Sequence, residues 1–407
     1  MNKRIRDLFP ILKRQKDLVY LDSGATALKP QIVIDRVSEY YTEYTSNVHR
    51  GMYKNAIKAD EEFEKVRMVM SRFIGANSPK ETVFVSGTTE GINLVAKTIG
   101  KAKVGKGDEM IVTEMEHHSN LVPWQVLRDE AGAKLKWLSF DDEGKIDEKR
   151  VGEMVNERTK ILAITGMSNV LGTINDIKKI TRMAKKLNPE IVVVVDGAQM
   201  VPHLPVSVCE LGVDFLVFSA HKLYGPTGVG VLWGREELLN EMPPFLTGGG
   251  MISRVTMDGV EYRGTPEKFE AGTPNIAGVI GMGAAIEWLN DEAEGMEAVR
   301  KYEEEITGYA LEKLQAMDEA EVYGPKRKSE RGGLVAFNVR GVHPHDTAQI
   351  LSDRGVCVRA GHHCAMPIHL KLGIPGSVRA SFGVYTSKED IDKLIEGIER
   401  VVVKFGR

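Results

Sequence analysis

The stretch "IVVVVDGAQ", residues 191–199, decides the fold. An isoleucine and four valines run without a polar interruption and stop on Asp196. A strand with one wet face alternates apolar and polar residues. An unbroken run fits a strand buried on both faces, the condition of a parallel sheet covered by helices. "EMIVTEME" (109–116), "KILAITGMS" (160–168) and "DFLVFSAHK" (214–222) have the same form, with helical stretches such as "DIKKITRMAKKLN" (176–188) between them. This succession predicts an α/β fold with a mostly parallel sheet flanked by helices. "TGVGVLWG" (227–234) returns so soon after the last run that one antiparallel strand is expected.

Near residue 290 the pattern changes. A charged amphipathic helix is predicted over 290–317, followed by a strand in "GGLVAFNVRG". A helix at 345–354, a strand and loop at 356–366 and a last helix from about 387 complete a smaller α+β unit. At 407 residues the chain is too long for one core. The expected division is a large α/β domain over 21–290 and a small α+β domain formed by 1–20 and 291–407.

Composition excludes several classes of function. Apolar residues make up 42% and charged residues 27%, with a net charge of −3, so no basic surface marks a nucleic-acid or membrane partner. The first residues, "MNKRIRDLFPILKRQKD", lack the apolar centre of a signal peptide, and no apolar run reaches the roughly 18 residues of a membrane span. Three cysteines do not make a disulfide framework, and a reducing, cytoplasmic setting fits them.

Ligands of parallel sheets bind outside the carboxyl ends of the strands, and four such ends carry unusual residues. "SGTTEGINLVAKTIG" (86–100) opens a helix on Ser, Gly and two Thr, where free N–H groups and the helix dipole attract a phosphate. "EMEHHSN" (114–120) ends a strand on His117 and His118, and an imidazole can stack on an aromatic ring. Asp196 needs a cation or strong donors at the edge of its apolar run, and Gln199 follows in the turn. Lys222 stands after a buried run, where desolvation would make its amine a nucleophile. Taken singly, these are equally a helix cap, a histidine pair, a capping aspartate and a surface lysine. Together they call for one ligand, pyridoxal 5′-phosphate: a lysine to hold it, a carboxylate for its pyridinium nitrogen, an imidazole against its ring and a helix for its phosphate.

With "NVHRG", "GTTEGINLVA", "EMEHH", "NLVPWQ", "SNVLGT", "VDGAQ", "SAHKLYGPTGVG", "FEAGTPN", "RAGHHCA" and "VRASF", the chain resembles the class V, fold-type I pyridoxal-phosphate enzymes over nearly its whole length. The resemblance is greatest to the SufS-type (group II) cysteine desulfurases and selenocysteine lyases. It implies that Lys222 is the Schiff-base lysine and the acid and base at the substrate Cα. Asp196 would pair with the pyridinium nitrogen, Gln199 would lie near the ring hydroxyl and His117 would stack on the ring. Thr88, Thr89, Ser219 and His221 would hold the phosphate. Thr273 would reach the phosphate of a neighbouring subunit, making the active unit a homodimer, with His49 and Arg50 at the dimer-facing edge. Asn169 and Arg379 would bind the substrate carboxylate, with Arg359 nearby.

Cys364 lies in "VRAGHHCAMP" (358–367). Zinc ligation by His362, His363 and Cys364 would need three consecutive residues to converge on one tetrahedral ion, whereas ligand pairs are usually two to four residues apart. A buried structural thiol better suits Cys209 and Cys357, which lie in apolar runs. The loop around Cys364 is polar, and Arg359 and the histidines should favour the reactive thiolate. The expected chemistry is removal of sulfur from L-cysteine, giving L-alanine and a persulfide on Cys364. The short cysteine loop implies a dedicated acceptor protein of SufE or SufU type, or a scaffold, serving iron–sulfur assembly, with His345 a candidate docking point. L-Selenocysteine is the alternative substrate. Another class V enzyme would have no need of Cys364, and a non-enzymatic scaffold would have no need of Lys222.

Overall fold

The computed structural model describes residues 3–406. The first strand, β1 (Val19–Tyr20), precedes a seven-stranded sheet. That sheet comprises β2 (Thr82–Val85), β3 (Glu109–Thr113), β4 (Lys134–Leu138), β5 (Thr159–Thr165), β6 (Val192–Asp196), β7 (Phe215–Ser219) and β8 (Gly230–Gly234), in the order 2-8-7-6-5-3-4. All are parallel except β8, which runs antiparallel to both β2 and β7. The expected return strand is therefore present, wedged between two parallel ones.

The valine run explains itself in the packing. Val193 and Val195 join one apolar core with Leu216 and Phe218, while Val192 and Val194 join a second with Phe215 and Val217. Each face of the strand meets its own core, so no position can be polar until Asp196. The helix Ile177–Leu187 is capped by Asp176, whose side chain accepts from the Lys179 N–H, and it buries Ile177, Ile180 and Ala184. The helix Ile276–Asp291 is buried almost all round, capped by Asn275.

An exposed hairpin, β9 (Ile252–Val255) and β10 (Val260–Tyr262), leads on. A second, antiparallel sheet holds β11 (Ala320–Tyr323), β12 (Leu334–Val339), β14 (Arg359–Gly361) and β15 (Ser377–Ser381), in the order 11-12-15-14. The two-residue β13 (Val356–Cys357) pairs instead with β1. The final helix, Lys388–Lys404, opens with a capping box of Ser387 and Asp390, whose carboxylate also binds Arg6 at 2.5 Å. Phe9 sits edge-on to Tyr385 and Trp288, at 4.8 and 5.5 Å between ring centres.

Three sequence expectations need correction. The helix expected over 290–317 begins only at Gly295, because Glu294 and Gly295 are left-handed, with φ of 60° and 83°, and break it from the preceding helix. His117 and His118 do not end a strand: β3 stops at Thr113, and they stand at the start of a 3₁₀ turn over His118–Asn120. Cys209 is exposed, on a four-residue helix that turns its thiol toward Asn77 Oδ1 at 3.3 Å.

Candidate active site

A cavity of about 310 Å³ opens at the carboxyl ends of the parallel strands. Each strand delivers its residues just beyond its last pair: Thr88 and Thr89 after β2, His117 after β3, Thr165 and Asn169 at and after β5, Asp196 and Gln199 at β6, Ser219, His221 and Lys222 at β7. The second sheet closes the opposite wall with Arg359, His363 and Cys364 from β14 and its loop, and Arg379 from β15. Gly24 and Ala25 complete the rim.

Asp196 is buried, and its Oδ1 accepts the Ala198 N–H at 2.9 Å. Burial raises its pKa, Lys222 opposing, so the carboxyl is short of positive partners. Lys222 keeps some solvent contact, yet the loss of hydration pushes its amine down to about 8, with Asp196 pulling the other way. Burial, with Lys222 adding to it, also pushes His117 down to about 3, so its ring is neutral. Its Nδ1 accepts the Ser119 N–H at 3.1 Å, which fixes the tautomer. Gln199 donates to Gly24 O at 2.7 Å, while its buried Oε1 has no partner among the described residues.

The helix Thr88–Val95 points its amino end at the cavity. Thr88 and Ser219 hydroxyls meet at 2.7 Å, and Ser219 Oγ accepts the Thr88 N–H at 2.8 Å. Thr89 meets Ser119 at 2.7 Å. With neutral His221 beside them, its pKa pushed down to about 4 first by burial, they form a polar corner of the cavity. A buried carboxylate with no ion pair among the described residues, an amide oxygen unpartnered among them, a desolvated amine and a hydroxyl-lined helix start match a pyridinium nitrogen, a ring hydroxyl, an aldehyde and a phosphate. The residues fit pyridoxal phosphate.

Arg379 is buried; it donates to Asn169 O at 2.9 Å and to Asp22 at 3.4 Å, and its Nε has no partner among the described residues. Asp22 also grips Arg359 with both oxygens, at 2.8 to 3.3 Å. Asn169 Nδ2 donates to His363 O at 2.7 Å, so this amide holds the cysteine loop. Cys364 is exposed, and both it and His363 are left-handed, with φ of 55° and 51°. His363 turns its Nε2 toward Ser377, whose O and Oγ lie at 3.0 and 3.2 Å.

Thr273, His49 and Arg50 are not brought to this cavity. Thr273 is exposed and accepts from Asn47 at 3.3 Å; His49 lies beside Asp60. Several site residues carried no sequence signal. Asp22 and Gly24 follow the two-residue β1, outside the large sheet whose strand ends carry the sequence signal. Glu116, next to His117 in the chain but not in the cavity wall, is buried and accepts from Thr113, Asn120 and the Thr165 N–H at 2.5, 2.6 and 2.9 Å. Burial pushes its carboxyl up to about 8. A strand-end search could have found Thr165.

Residues 19–394 match the family model described as aminotransferase class-V. A probable cysteine desulfurase of Halalkalibacterium halodurans is 46% identical, covering 99% of this chain and 98% of the relative. Another from Streptomyces coelicolor is 44% identical, covering 99% and 97%. The apo structure of a cysteine desulfurase from Thermococcus onnurineus NA1 superimposes with a TM-score of 0.94 at 40% identity, covering 99% of this chain and 98% of that one.

Proposed function

The chain belongs to the class V aminotransferase family of pyridoxal-phosphate enzymes, and from that premise we propose that it is a cysteine desulfurase with Cys364 as the sulfur carrier. One observation carries the reading: the loop of β14 brings Cys364 into the same cavity as Lys222 and Asp196. An aminotransferase has no use for a thiol there.

Asp196 would hold the pyridinium nitrogen, Gln199 the ring hydroxyl, and Thr88, Thr89, Ser219 and His221 the phosphate; His117 would lie on the ring. The cofactor, when bound to Lys222, supplies an electron sink for the pair left when the substrate Cα loses its proton. Arg379 takes the substrate carboxylate, with the cation of Arg359 close by. Lys222 Nζ, its basicity lowered by burial to near neutrality, is matched to accept the Cα proton and return it. Cys364 Sγ takes the substrate sulfur as a persulfide, and the carbon skeleton leaves as L-alanine once protonated. L-Selenocysteine, with a weaker bond to Cβ, meets the same groups.

We further propose a large cofactor-binding domain (21–290) and a small one (1–20 with 291–407) that carries Cys364. The active unit is a homodimer in which Thr273, His49 and Arg50 face the partner's cavity. The persulfide passes in the cytoplasm to an acceptor protein of SufE or SufU type, or a scaffold, for iron–sulfur assembly, with His345 at the docking edge. Among the described residues no helix is long and apolar enough to cross a membrane.

The test is the intact mass of wild type and Cys364→Ser after incubation with L-cysteine, with alanine assayed alongside. One sulfur added to wild type alone, with alanine formed, is the expected result. Equal sulfur on both proteins would remove Cys364 from the reaction.

A further inference from the structure

His118 is the half of "EMEHH" that the cofactor site does not use; it lines a neighbouring apolar cavity instead. It nevertheless touches the cysteine loop twice. Its backbone N–H donates to Cys364 O at 2.7 Å, and its ring Nε2 accepts the Met366 N–H at 3.2 Å. Met366 is the first residue of the helix Met366–Leu372, whose flanking Ala365 offers no side-chain cap. The imidazole therefore satisfies a helix-start donor that would otherwise face only water.

The loop needs such a hold. Two successive non-glycine residues, His363 and Cys364, are left-handed, a conformation that persists only where the surroundings impose it. Asn169 Nδ2 holds His363 O on one side, and His118 holds Cys364 O and Met366 N on the other. Both anchors come from the turns beyond β3 and β5, the same turns that deliver His117 and Asn169 to the cavity. The nucleophile is thus pinned to the sheet that holds the cofactor, not merely to its own.

We propose that His118 is a positioning residue for Cys364: its neutral ring caps the helix after the loop and, with its backbone N–H, fixes the thiol at the cavity mouth. Burial lowers the pKa of the imidazole, which keeps Nε2 free to accept. The proposal rests on Cys364 being the sulfur carrier.

The test compares holoenzymes of wild type, His118→Leu and His118→Gln. Glutamine can place an oxygen where Nε2 lies; leucine cannot accept. The backbone bond survives in both, so only the ring contact is read. Amide hydrogen exchange in 362–368 should be about fivefold faster in His118→Leu, the worth of one neutral hydrogen bond, and close to wild type in His118→Gln. In the desulfurase assay kcat should fall by a similar factor in His118→Leu with KM and the visible spectrum of the bound cofactor unchanged, and glutamine should restore most of it. Unchanged exchange in His118→Leu, or glutamine exchanging as fast as leucine, would overturn the proposal. If wild type itself took up no sulfur, the carrier assignment would fall, and the placement of Cys364 as a nucleophile with it; the exchange data would then report only the contact.

Discussion

At the scale of single residues, Lys222 gives the plainest prediction. Its amine is pushed down to about 8 by burial, against an ordinary value of 10.5. Only the neutral amine can capture an aldehyde, so cofactor capture by the apoprotein should quicken as pH rises through about 8 and level off by about 9. Stopped-flow absorbance checks this; a rate still climbing toward pH 10.5 would mean an ordinary, hydrated lysine. Asp196 and Lys222 were legible in the sequence because a charged residue ending an apolar run is costly and so marks a purpose. Glu116 and Asp22 were not, and His118 was visible only as half of a histidine pair, without its contact to the cysteine loop. The partners that fix their roles lie 49, 337 and 248 positions away, and nothing local distinguishes a side chain that grips a distant group from one in water. Cys209 misled for the converse reason: an apolar run that folds as a short helix exposes one side.

At the scale of elements, close approach matters more than any one contact. Gly230 in β8 lies between β7 and the turn before Thr88. A Cβ there would stand 2.5 Å from Phe218 O and 2.8 Å from Gly87 Cα. Gly230→Ala must push that turn away, which should weaken pyridoxal-phosphate binding roughly tenfold, in the range of ordinary overpacking. Gly259→Ala, where nothing lies within 4 Å, should leave binding unchanged. Equilibrium dialysis of the two variants checks both. Arg67 supplies a second element-level lock. Nearly fully buried, it binds Glu270 twice, at 2.7 and 2.9 Å, and Thr82 O at 2.8 Å, while Glu270 also accepts the Phe84 N–H. Helix Lys54–Phe73, β2 and the segment before Thr273 are joined there. Arg67→Met strands a buried carboxylate and should cost about 3–5 kcal/mol in denaturant unfolding; adding Glu270→Leu should recover part of it. The strands most visible in the sequence were the central ones. Edge strand β4, "KLKWL", is half-exposed and lacks the unbroken apolar run of the central strands, and β2 has four residues only.

At the scale of the whole molecule, the cavity of one chain lacks three of its expected residues, and Thr273, Met52 and Tyr53 stand exposed, Met52 at 92% and Tyr53 at 62%. Large apolar side chains bared beside residues expected at a site point to a partner surface. If Thr273 serves the neighbour's phosphate, a site needs Lys222 from one chain and Thr273 from the other. Lys222→Ala and Thr273→Ala homodimers should then both be impaired. Unfolded together and refolded, they form mixed dimers in which one cavity takes Lys222 from the Thr273→Ala chain and Thr273 from the Lys222→Ala chain. That cavity is whole, so activity should return, to about a quarter of wild type if chains assort at random and each site works alone. Were Thr273 to act on its own chain's cavity, every site in the mixture would carry a defect and mixing would restore nothing. The outcome decides between the two arrangements without any assumption about how the subunits touch, because it depends only on which chain supplies which residue.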